Sequence, residues 1–182
     1  MPIDVKDKEL YADSITFAYT AQYDLLTGVY VSCKIGDIIA LLGRNGSGKS
    51  TLMKILFGSL IRKNGLIIIN GVRVQKGYLT KKICYLPQAS FLPPYLRVKQ
   101  AIKLMVADED KQRAIKEDAL VIPIISQKIA ETSVGERRYL ELLILLQMEA
   151  DFYLLDEPFS GVAPYMKDRI QALICLHQSQ RG

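Results

Sequence analysis

Cysteine is scarce in this chain, and its three copies, Cys33, Cys84 and Cys175, are odd in number, far apart and set among apolar residues. That pattern excludes a disulfide framework and a cysteine-ligated metal, and predicts buried thiols in a reducing compartment. Long apolar runs are missing too. The richest, Leu140 to Met148, is broken by Glu141 and Gln147 and is far shorter than the ~18 to 20 residues that a membrane-crossing helix needs. Any membrane role is therefore expected to pass through a partner. The opening MPIDVKDKEL carries no apolar signal core, and no internal repeat or low-complexity stretch occurs. Charge of one sign is also lacking. Lys plus Arg number 24 against 19 Asp plus Glu, a net +5, and the basic pairs are scattered, as at Arg62-Lys63, Lys81-Lys82 and Arg137-Arg138. Without a basic stripe interleaved with aromatics, no nucleic acid partner is expected. What remains is 182 residues, 49% hydrophobic, enough for one domain with a sizeable core but not two.

Against that plain background one stretch stands out. The apolar run Ile38 to Leu42 meets Gly43-Arg44-Asn45-Gly46-Ser47-Gly48-Lys49-Ser50, with Thr51 next and a helix-competent segment beyond. The spacing fits G-x-x-x-x-G-K-[ST], a phosphate-binding loop between a strand and a helix. Its glycines let successive backbone N–H groups turn toward a phosphate, and the helix start near Ser50 adds its positive end. Lys49 is expected to neutralise the β and γ phosphates, and the Ser50 hydroxyl to ligate Mg²⁺.

Taken in order, Leu10 to Tyr19 alternates around Ile15, Phe17 and Tyr19, and Gly28 to Ile35 around Val29, Val31 and Cys33, so both read as strands of an antiparallel layer. Ile38 to Leu42, apolar throughout, reads as a strand covered on both faces, and Ser50 to Ile61 as a helix burying Leu52, Ile55, Leu56 and Leu60. Leu66 to Ile69, Asn70-Gly71 and Val72 to Val74 spell a hairpin, and Ile83 to Leu86 a short strand. Helical segments near Val98 to Val106 and Asp110 to Ala119, joined by Asp108-Glu109-Asp110, suggest a small helical lobe inserted into an α/β core. A helix from about Gly135 to Met148, a buried strand Phe152 to Leu155 and a last helix over Pro164 to Gln178 complete the chain.

Phosphoanhydride hydrolysis needs a held metal and a base for water. Asp156-Glu157-Pro158 supplies two carboxylates at the end of an apolar strand, with Asp156 expected on the metal and Glu157 facing the γ phosphate. Such a pair alone also describes an exposed turn; the upstream phosphate loop favours the catalytic reading.

From Ile15 to Gln178 the chain resembles the nucleotide-binding subunit of ATP-binding cassette (ABC) transporters, at five motifs in family order. The resemblance implies a P-loop NTPase, with a RecA-like parallel core, an antiparallel β layer and an inserted helical subdomain. It puts residues 1–89 and 139–182 in the β layer and core, and 90–138 in the helical part. It implies that Tyr19 stacks on adenine, that Gly43 to Thr51 is the Walker A motif, and that FYLLDEP is Walker B with Glu157 as catalytic glutamate. Gln88, after YLP, matches the Q-loop glutamine, implied to sense the γ phosphate and Mg²⁺, and Phe91 to Ile102 resembles the segment facing a transmembrane permease. Thr132-Ser133-Val134-Gly135-Glu136 resembles the LSGGQ signature, whose serine and second glycine, here Ser133 and Gly135, would bind ATP held by a second ATP-binding subunit. Ser-x-x-Glu is also a capping box, and both readings hold together at a helix start that binds an anion.

Three departures accompany the resemblance. Val134 replaces the first signature glycine, and a β-branched residue resists positive φ, which predicts a repositioned loop. Ala163 replaces the aspartate that couples the two sites across the dimer. No residue corresponds to the switch histidine: His177 falls inside a helical stretch and reads as a surface or packing residue. A chain shortened relative to ordinary members is the expectation. The family then implies an Mg²⁺-dependent ATPase working as a homo- or heterodimer, cytoplasmic and peripheral on the inner face of the cell membrane, driving transport by a separate permease. Two alternatives stay open: an accessory cassette that binds ATP but hydrolyses little, and a non-transport ABC ATPase. Cargo and direction belong to the permease and are not legible here.

Overall fold

A computed structural model describes residues 8–21 and 23–179; the opening stretch discussed for a signal core lies largely outside them. Among the described residues the chain divides into two compact units, one comprising 8–85 and Glu149–Asp156, the other Leu86–Met148 and 157–179.

In the first unit, β1 (Glu9–Phe17) pairs antiparallel with both β2 (Leu26–Lys34) and β3 (Asn64–Ile69), and β4 (Val72–Arg73) adds to β3, giving the order β2-β1-β3-β4. The inward residues of β1 are Leu10 and Ala12, then Ile15 and Phe17. Period-two alternation changes parity like this only at a bulge, and the register shifts between Ala12 and Ile15, with Ser14 at φ 55°. The β3–β4 turn is the expected Asn70-Gly71, both at positive φ, 50° and 79°. Helix α1 (Lys49–Phe57) buries Leu52, Ile55 and Leu56 in the same core as Leu10, Ile15, Ile67, Ile69 and Phe152. It is one turn shorter than expected, because Gly58 closes it in the left-handed conformation, φ 98°, leaving Leu60 beyond the helix. Strands β5 (Ile83–Leu86) and β6 (Phe152–Leu155) form a separate parallel pair.

The expected strand at Ile38 to Leu42 is not formed. The segment has no regular secondary structure, and Ile38, Ile39 and Leu42 are 64%, 46% and 92% exposed. An apolar run becomes a doubly covered strand only when neighbouring strands take up its backbone N–H and C=O groups, and none of the described residues does so. The cysteines also differ from expectation: Cys84 is buried, Cys33 half-buried and Cys175 exposed on the last helix. Burial, with Asp37 and Glu9 nearby, pushes the Cys33 thiol up.

In the second unit, α2 (Val98–Met105) and α3 (Glu109–Lys116) form the helical lobe. The acidic run between them is a helix start: Asp108 accepts the Lys111 N–H at 2.9 Å, and Glu109 and Asp110 occupy the positive end of α3. Backbone bonds from Val98 N–H to Gln127 C=O (2.9 Å) and from Ile129 N–H to Leu96 C=O (2.8 Å) tie the lobe's ends together. Helix α4 (Val134–Leu146) is buried along nearly its whole length, whereas α5 (Pro164–Ser179) buries only Met166 and Ile170. Tyr139 on α4 donates to Asp118 at 3.0 Å; burial first, and that bond second, push its phenol up to about 12, so it stays a donor at neutral pH. His177 is half-buried on α5, as expected of a packing residue. No helix among the described residues is long and apolar enough to cross a membrane.

Candidate functional site

The phosphate loop occupies the first unit. Gly46 and Gly48 take φ of 81° and 96°, and Gly48 immediately precedes α1. The φ of 96° is what favours glycine at position 48; an added Cβ would also lie 2.6 Å from Leu26 Cδ2, a side-chain end that can move aside. The loop residues Gly43 to Ser47 are exposed, and the free N–H groups at the start of α1 give this end of the helix its partial positive charge. Lys49 Nζ donates to the carbonyls of Gly43 (2.8 Å) and Arg44 (3.1 Å), which holds its ammonium over the loop.

In the first turn of the helix, Ser50 Oγ donates to Asp156 Oδ1 at 2.8 Å, across 106 positions of sequence. The other carboxylate oxygen, Oδ2, accepts from Tyr85 OH at 2.9 Å. Asp156 is only 2% exposed, so both oxygens are fixed. A hydroxyl and a carboxylate brought together beside a phosphate loop form the kind of oxygen donor set that suits Mg²⁺, which takes few protein ligands and keeps water and phosphate as the rest. The residues therefore fit the metal. Tyr19, 62% exposed, meets Phe17 edge-on at 4.8 Å and places its hydroxyl 3.1 Å from Thr51 Oγ1, which stands an exposed ring beside the first turn of α1.

The second unit holds the other expected residues. Gln88 Nε2 donates to Glu157 Oε2 at 2.8 Å, so the two side chains singled out separately in the sequence are partners. Glu157 has φ 48°, a strained left-handed conformation for a residue with a Cβ. Ser133 caps α4: its Oγ accepts the Glu136 N–H at 3.2 Å, while Glu136 Oε2 accepts the Ser133 N–H at 2.8 Å. The capping box is real, and Ser133 stands exposed at the helix start. Val134 is the first helical residue and lies outside the positive-φ set, so valine is accommodated without left-handed strain. Gly135 is the crowded position, where a Cβ would lie 3.1 Å from Met166 Cγ. Ala163 is exposed and offers no side-chain polar atom where an aspartate was expected.

Two contributors escaped the sequence. Tyr85 reads there as one more residue of a short apolar strand, and Arg138 as half of a surface basic pair, yet Arg138 is 6% exposed. The only sequence hint to Arg138 is its spacing from Glu141, a charge inside the apolar face of α4.

Comparison with known proteins agrees with this chemistry. The family profile described as ABC transporter matches residues 26–160. An uncharacterised ABC transporter ATP-binding protein of Rhizobium meliloti is 33% identical over 97% of this chain and 69% of its own length. The zinc import ATP-binding protein ZnuC of Ehrlichia ruminantium is 34% identical over 93% of this chain and 69% of its own. The solved structure of an ATP-binding subunit of an ABC transporter superposes with a TM-score of 0.81 over 95% of this chain and 76% of that one; at 24% identity it speaks for the P-loop NTPase fold alone. With a phosphate loop, a strand-end carboxylate on its serine and a family match across most of its length, the chain belongs to the ABC transporter family and is one of its ATP-binding, ATP-hydrolysing subunits.

Proposed function

We propose that this subunit hydrolyses Mg²⁺-ATP at the interface of two ATP-binding subunits and thereby drives a separate transmembrane permease from the inner face of the cell membrane. The observation that carries the chemistry is the Ser50–Asp156 contact at 2.8 Å, which joins the phosphate loop to the strand-end carboxylate. Lys49 and the N–H groups from Gly43 to Thr51 hold the phosphates, and Tyr19 supports the adenine. Ser50 and Asp156 hold the metal, which when bound offsets charge on the phosphate oxygens. Glu157 is the base for the attacking water, and the Gln88 amide, 2.8 Å from its carboxylate, sets the direction in which that carboxylate accepts a proton.

In this reading residues 1–182 act as one ABC ATPase domain, with 90–138 as its helical subdomain. Ser133 and Gly135 serve ATP bound by the second subunit, which is a copy of this chain or a homologue. Phe91 to Ile102 meets the permease; Tyr95 within it is 74% exposed, as a docking side chain should be. The zinc in the name of one relative belongs to that relative, and no cargo follows for this chain.

Glu157→Gln, which retains ATP but slows its hydrolysis, is expected to double the particle mass by light scattering when Mg²⁺-ATP is added, and not with ADP. A variant that binds ATP yet remains monomeric would contradict the proposal. A second reading, an accessory cassette with little hydrolysis, is favoured by Ala163; multiple turnovers by the purified chain would rule it out.

A further inference from the structure

We infer that the buried pair Arg138–Glu141 on α4 is a positioning device that sets the Gln88–Glu157 contact from the helix beginning at Ser133; the inference rests on the ATPase reading above. The pair is 6% and 2% exposed, with Arg138 Nη1 3.3 Å from Glu141 Oε2. Burying two charges costs several kcal/mol per ion before their attraction is counted, and an apolar pair of like volume is commonly as stable or more so. Stability is thus a poor reason for these residues.

Their other bonds supply a better one. Arg138 Nη1 donates to the Pro87 carbonyl at 2.7 Å, immediately before Gln88. Glu141 Oε1 accepts the Phe91 N–H at 3.2 Å, three residues after it. The pair therefore grips both ends of the segment that presents Gln88. Arg138 Nη2 also donates to the Glu157 carbonyl at 3.3 Å. That carbonyl belongs to the residue held at φ 48°, and a left-handed backbone away from glycine persists only where its surroundings fix it. One guanidinium thus holds the backbone on both sides of the 2.8 Å contact between Gln88 Nε2 and Glu157 Oε2. Arg138 lies little more than one turn from the Ser133 cap, so a shift of that helix start moves the guanidinium and both of the carbonyls that it holds.

The test replaces the pair by apolar residues, Arg138→Met with Glu141→Leu, so that no lone charge is left buried. Melting temperature should stay within a few degrees, while kcat falls at least tenfold and the ATP KM changes less than twofold. A purely structural role would lower stability and leave kcat of the folded fraction alone. Amide hydrogen exchange gives a readout that needs no turnover: residues 88–91 and 157–160 should exchange at least tenfold faster, with α4 still protected. Should the double variant fail to fold, Arg138→Lys replaces it. Lysine's compact ammonium lacks the fixed planar fork with which the guanidinium reaches acceptors on both sides, so the same kcat loss and the same local exchange are expected. Wild-type kcat, or wild-type exchange at residues 88–91 and 157–160, in a folded variant would overturn the inference. Absence of turnover in the wild-type protein would instead contradict the ATPase reading, and exchange alone would then decide this one.

Discussion

At the scale of single residues, the site depends on side chains that fix one another in place. Asp156 is held at both oxygens, by Ser50 and by Tyr85, so the protein alone sets the orientation of the carboxylate proposed to hold the metal. Removing an outer partner of this kind commonly costs ten- to a hundredfold in metal affinity. Tyr85→Phe should therefore weaken Mn²⁺ binding to the ATP complex about tenfold, as read by electron paramagnetic resonance, while ATP affinity without metal is unchanged; an unaltered Mn²⁺ affinity would remove Tyr85 from the site. Lys49, Ser50 and the Asp156-Glu157 pair were legible in the sequence because a phosphate loop has a fixed local spacing and the carboxylates end an apolar strand. Tyr85 and Arg138 were not, since their partners lie 71 and 51 positions away and nothing local marks them. The Gln88–Glu157 contact stood between these cases: each residue was visible, their pairing was not.

At the scale of elements, the structure departs from the sequence pattern for definite physical reasons. Hydrophobic period found β1 but not its bulge, because one inserted residue changes parity without changing composition. Helix α1 stops at Gly58, whose added Cβ would lie 2.5 Å from Lys76 Cα. Gly58→Ala meets that backbone and a φ of 98° together, so it should cost about 2 kcal/mol or more and lower the melting temperature by roughly 4–8 °C. An unchanged melt would show that the turn relaxes freely. The rule that reads an unbroken apolar run as a buried strand assumes neighbours, and the described residues supply none for residues 38–42. Leu42, 92% exposed, should accept Glu with less than about 0.5 kcal/mol change by urea unfolding, whereas a loss of several kcal/mol would mean that the segment is covered after all.

At the scale of the whole molecule, motif order along the chain announced the family more firmly than any one element announced the fold, and the match over residues 26–160 agrees. In the proposed dimer the departures at Val134 and Ala163 would bear on the contact between two subunits rather than on the fold of either. Val134 sits in α4 without strain and half exposed, and Ser133 at the helix start is exposed, as the proposed contact with a second subunit's ATP requires. The central claim is that two such subunits complete each other's ATP sites and hydrolyse what they hold. Steady-state Mg²⁺-ATP hydrolysis by the purified chain, measured across protein concentration beside Lys49→Ala and Glu157→Gln, tests it most directly. The account predicts turnover that rises more steeply than protein concentration and is lost in both variants. Turnover strictly proportional to concentration, or surviving in Lys49→Ala, would contradict it.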